Sequence, residues 1–94
     1  MAAWVDDLRD RGWRLGPSCH LFADTVEELH AFAAVVGLRP GWFQDRPGLW
    51  HYDLTSRRRA RAVAMGAVEM GDRESVRRAA ARRTRSDGTA QTEQ

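Results

Sequence analysis

The side chains of this sequence best suited to chemistry at neutral pH are His20, Asp24, His30, His51 and Asp53, with Asp6 and Asp7 beside them. They include all three histidines of the 94-residue chain, and each histidine stands near an acidic residue. Imidazole and carboxylate together suit a divalent ion such as zinc, manganese or magnesium. They also suit general acid–base work, a carboxylate fixing the tautomer of the imidazole it faces. His51 and Asp53 are two residues apart and share one side of an extended segment. There is no HExxH and no paired CxxC, so no short motif selects a metal. The metal set on offer is Asp6, Asp24, His51 and Asp53. The groups able to move protons are His20, His30, His51 and Asp53. Each has a structural use as well. Asp24 beside Thr25 favours a helix start, His20 can sit satisfied in a core, and Asp53 can turn onto Leu54-Thr55.

A second set reads anions. Thr55-Ser56-Arg57-Arg58-Arg59 puts three cations at the positive end of a helix dipole, which is unfavourable for an isolated helix. A bound phosphate or carboxylate reverses the sign, so Arg57 and Arg58 are candidate ligand-binding residues; the acids of the site, chiefly Asp53, relieve the same strain. Trp42, Phe43, Trp50 and Tyr52 gather around two Pro-Gly turns. They close a core, stack a planar ligand through Trp42 and Tyr52, or form a homodimer face. Arg73, Arg77, Arg78, Arg82, Arg83 and Arg85 crowd a third helix. They face solvent or the phosphates of a nucleic acid, with Glu74 and Arg78 at favourable spacing and no interleaved aromatic to stack bases. Cys19 adjoins His20 but points to the opposite face of a strand.

Positioning these groups falls to short elements. Ala3-Trp4-Val5 reads as a first strand and Cys19 to Ala23 as a second, with RDRGWRLGPS between them as an exposed loop. Thr25 and Glu28 form a capping box. Val26, Leu29, Phe32, Ala33 and Val36 then recur at helical spacing, and Gly37 ends the helix. The spacing predicts helices over about 26–36, 56–65 and 72–85, with short strands at Trp42-Phe43-Gln44, at Trp50-His51-Tyr52 and at 67–70. The third helix has a thin apolar stripe of Val76, Ala79 and Ala80. Strands alternating with helices imply an α/β fold with a small, mostly parallel sheet of three to five strands. In such a sheet ligands bind beyond the carboxyl ends of the strands. Asp6, Asp24 and Asp53 each follow a predicted strand, so parallel neighbours would bring them together.

The length allows one domain, residues 1–85, followed by a polar tail at 86–94 that is expected to be disordered. A chain this short buries a thin core, which four tryptophans partly offset. No apolar run spans a membrane, the N-terminus lacks a signal-peptide pattern, and a lone cysteine forms no internal disulfide; a cytoplasmic protein is expected. Charge is uneven. Residues 1–56 carry five Arg against eight acids, whereas 57–85 carry ten Arg against three. Every one of the fifteen basic residues is Arg, which is either codon usage or an anion-binding surface.

The set His20-Leu21-Phe22-Ala23-Asp24-Thr25, Glu28-Leu29-His30-Ala31-Phe32-Ala33, Gly37-Leu38, Trp42-Phe43-Gln44 and His51-Tyr52-Asp53-Leu54-Thr55, leading to Gly66-Ala67, resembles a known family. That family is the domain of unknown function numbered four-zero-three-one, from small proteins of bacteria and their phages. The opening Trp4-Val5-Asp6-Asp7 resembles the family's start, and the likeness spans roughly 3–70. It implies no activity. The residues themselves lead to an expectation of a small enzyme with a His/Asp pocket, metal-assisted or acid–base, acting on a phosphate-containing or nucleotide-like substrate. A module that captures a small anionic ligand without turnover, and an Arg-rich nucleic-acid or protein adaptor, are the alternatives.

Overall fold

The computed structural model describes the backbone of residues 3–93 and the side chains of residues 3–82. The tail expected at 86–94 lies outside the residues whose side chains are described. The elements run β1 (Ala3–Val5), β2 (Ser18–Ala23), α1 (Val26–Val36), a 3-10 turn (Pro40–Trp42), β3 (Phe43–Gln44), β4 (His51–Thr55), α2 (Ser56–Ala64), β5 (Val68–Glu69) and α3 (Asp72–Glu93).

The five strands form one sheet in the order β3-β4-β2-β1-β5. The fold class is α/β as expected, but the sheet is mixed. Only β1 and β5 are parallel, and the other three pairings are antiparallel. The reason lies in the connections, since a parallel pair needs a long crossover, usually helical. The link from β1 to β2 folds back on itself instead, with Arg9 bridged to Ser18 in antiparallel fashion. The Pro40–Trp42 turn and β3 reverse the chain before β4, so β4 also runs against β2.

Local chemistry sets the helices. Thr25 accepts a hydrogen bond from Glu28 N and Gly37 closes α1 at φ 94°, a left-handed conformation that glycine adopts without penalty. Such a cap is worth about 1 kcal/mol. Thr55 ends β4 and also caps α2 by accepting from Arg58 N at 3.2 Å.

Register sorts side chains onto two faces. On the first, Val5, Leu21, Tyr52 and Leu54 meet Leu29, Phe32, Ala33 and Val36 of α1 and Ala62 of α2 in the main core. On the second, Trp4 pairs with Phe22 and His20 pairs with Asp53. Helix α3 covers only the Trp4/Phe22 half, through Ala79 and a buried Ser75 whose hydroxyl accepts from Trp4 Nε1 at 3.0 Å. Val76, expected in the inward stripe, is exposed, and Ser75 and Arg82 are buried in its place. Arg82 lies over the rings of Trp50, Phe22 and Trp4 and donates to the carbonyls of Ala23 and Trp50. Burial lowers its pKa to about 10, which still leaves it a cation at neutral pH. Among the described residues, no helix packs over the other half of this face, above β4 and β3.

Candidate functional site

The uncovered half holds His20, His51 and Asp53. His20 and Asp53 are direct cross-strand partners, and His51 precedes Asp53 by two residues on the same face. One ligand atom from each lies within 4.8 Å of the others, and this trio is the group of metal-ligating type found among the described residues.

Each imidazole is pinned by its Nδ1. His51 Nδ1 lies 2.6 Å from the Leu49 carbonyl, which can only accept, so Nδ1 carries the proton. His20 Nδ1 lies 2.7 Å from Asp6 Oδ2, and Asp6 Oδ1 accepts from His20 N at 2.6 Å. Asp6 is buried, so a carboxylate holds both ring and backbone of His20. Both Nε2 atoms then face Asp53 Oδ1, at 3.3 Å from His51 and 3.9 Å from His20. In neutral imidazoles these Nε2 atoms are lone pairs. Three electron-pair donors this close repel one another unless a proton or a cation lies among them. When His51 is charged, its Nε2 carries a proton that bonds to Asp53, and this holds the Asp53 carboxyl below its ordinary pKa against the opposing effect of burial, with His20 and Arg11 adding to the lowering. Asp53 is therefore ionised at neutral pH.

The trio opens into a hollow of about 330 Å³ lined also by Arg11, Trp13, Ser18, Gln44, Arg46 and Leu49. Arg11 is anchored on the Ser18 carbonyl. Two guanidinium groups at the rim of a His/Asp cluster give an anionic ligand a favourable entry.

Several expected site residues lie elsewhere. Asp24 follows β2 at the opposite end of the sheet, because β2 runs against β1, and it is gripped by Arg78 of α3 at 2.9 and 3.1 Å. Asp6 does reach the cluster, yet as the anchor of His20. Asp7 binds the start of α3, exchanging hydrogen bonds with Asp72. His30 projects from α1, its Nδ1 2.8 Å from the Tyr52 hydroxyl and its ring edge-on to Phe43. Tyr52 is buried on the helix-covered face, since strand alternation turns it away from His51 and Asp53. Arg57 and Arg58 line a separate hollow with Arg61. Arg58 also stands over Trp42, 4.6 Å from its ring, beside Asp53 in a third hollow. Cys19 is buried on the first face and its thiol is pushed up to about 12 by that burial, so it is no nucleophile.

Arg11, Trp13, Gln44 and Arg46 escaped the reading of the sequence. Gln44 was findable, because an antiparallel β3–β4 hairpin sets it opposite His51. Arg11 and Trp13 sit in a loop whose composition reads only as exposed.

Fold and site together define a small mixed-sheet α/β domain carrying a two-histidine, one-carboxylate pocket on an open sheet face. The chain matches the family described as "Protein of unknown function (DUF4031)" over residues 3–82, and it belongs to that family. No curated protein and no solved structure matches it. No helix among the described residues is long and apolar enough to cross a membrane.

Proposed function

We propose that this protein is a small metal-dependent phosphoesterase of the cytoplasm, with a divalent ion held by His20 Nε2, His51 Nε2 and Asp53. The observation that carries this reading is the pair of Nδ1 anchors, which leaves both Nε2 lone pairs directed at one carboxylate oxygen. Ligands placed about 2.0–2.2 Å from a tetrahedral zinc stand about 3.4 Å apart. The 3.3 and 3.9 Å separations need only small side-chain shifts to accept an ion. Asp6 behind His20 raises the basicity of that ligand and fixes its ring.

His20, His51 and Asp53 would hold the ion, which would supply Lewis acidity toward a phosphate oxygen and a more acidic water. Arg11 and Arg46 would hold the remaining phosphate oxygens and offset charge that grows during displacement. Water oxygen bonds to phosphorus as the ester oxygen departs. The water's proton goes to solvent, and the departing oxygen takes a proton from solvent.

The test is calorimetric titration of metal-stripped protein with zinc and with manganese, followed by assay of a phosphodiester such as bis-p-nitrophenyl phosphate. One ion per chain is expected, with binding lost in His51→Ala and Asp53→Ala. Wild-type affinity in both variants would refute the site.

A further inference from the structure

The metal pocket adjoins two further hollows through shared lining residues. Its hollow of about 330 Å³ shares Trp13, Gln44 and Asp53 with a second of about 300 Å³, which adds Trp42 and Arg58. The second shares Leu15 and Arg58 with a third of about 620 Å³, which adds Arg57 and Arg61. The sequence of surfaces is therefore cationic with the His/Asp trio, then two indoles, then cationic again. Arg57, Arg58 and Arg61 form no ion pair among the described residues, whereas their neighbour Arg59 is spent on Glu69 and the Asp6 carbonyl.

We propose that this groove binds a single-stranded nucleic-acid segment, with one phosphate at the His20/His51/Asp53 pocket, a base against Trp13 and the stacked pair of Arg58 and Trp42, and a further phosphate on Arg57 and Arg61. The inference rests on the phosphoesterase reading and names its substrate class. The alternation of phosphate, base and phosphate in a strand matches cation, aromatic and cation in the groove. Indoles stack on any base, which suits binding without sequence preference. A duplex keeps its bases stacked inside and offers none to this surface. Asp53 and Arg57 are four residues apart, so their Cα atoms are separated by at most about 14 Å, the reach of a few nucleotides. The cations of α3 make a poorer track, because Arg78 is committed to Asp24 and Arg82 is buried.

The test is fluorescence anisotropy of a labelled six-nucleotide thymidine strand with the full chain, in chelator so that the strand stays intact. Zinc uptake is measured separately on each preparation. Trp42→Ala and Trp13→Ala should each weaken binding about tenfold. Arg57→Ser/Arg61→Ser, both at exposed positions, should flatten the log–log salt slope by about 0.7 for the phosphate released. Arg73→Ser/Arg77→Ser on α3 should leave binding unchanged. Equal affinity for thymidine monophosphate or for a duplex overturns the proposal, as does equal loss in the α3 variant. Intact zinc uptake without strand binding overturns the groove and leaves the metal pocket standing. Strand binding without zinc uptake supports the groove and refutes the metal.

Discussion

The second face of the sheet divides into two halves that use the same residue types for opposite ends. Under α3, polar groups are consumed in packing. Arg78 forks onto Asp24, Ser75 accepts from Trp4, and Arg82 fills an aromatic cage. Over β4 and β3, polar groups remain turned toward an open hollow, and the Nδ1 bonds of His20 and His51 orient both rings into it. An aspartate or an arginine in this chain therefore has no intrinsic role. Its role follows from whether a helix lies above it.

If that division holds, substitutions in the two halves separate cleanly. The largest effect is expected in the open half. Asp53→Asn should cut metal affinity at least 100-fold by calorimetry with little change in the denaturation midpoint, because the group is partly exposed. Asp6→Asn should cut it about 10–100-fold, through the orientation of His20 alone. A larger loss for Asp6 than for Asp53 would move Asp6 into the ligand set and blur the comparison. In the covered half, Arg82→Ala should leave metal affinity intact and cost about 3 kcal/mol in urea denaturation, since it empties a buried site and strands two carbonyls. Asp24→Asn should cost about 1 kcal/mol by the same measurement, again with intact metal binding, because its partner Arg78 is half-exposed. The smallest expected signal is in the main core. The Cys19 thiol, pushed up to about 12, should resist a disulfide reagent in native protein and react once urea unfolds it.

The elements that could be read from the sequence are those with local causes. Helix α1 is written in Thr25, Glu28 and Gly37 together with a 3.6-residue apolar period, and the structure returns it over Val26–Val36. The shared face of His51 and Asp53 followed from strand alternation alone. Strand direction has no such local signature. Residues 9–18 were legible as a loop, but whether that loop crosses over or folds back depends on the Arg9–Ser18 bridge, a contact set by tertiary packing. That single unknown sent Asp24 to the wrong end of the sheet and hid Arg11 and Trp13. Helix α3 misled for a related reason. Its apolar residues are too few to say which side faces in, and the buried side proved to be Ser75, Ala79 and Arg82 rather than the side bearing Val76.

Thr55 is at once the last residue of β4 and the cap of α2, so strand and helix meet with no linker. His51 and Asp53 on one side of that junction, and Arg57 and Arg61 on the other, therefore belong to a single stiff member. The interval between the two ends of the groove works as a gauge of fixed length rather than a hinge. One residue inserted after Thr55 would turn the arginines about 100° around the helix axis and throw the gauge out of alignment, although no residue that defines either end would have been replaced.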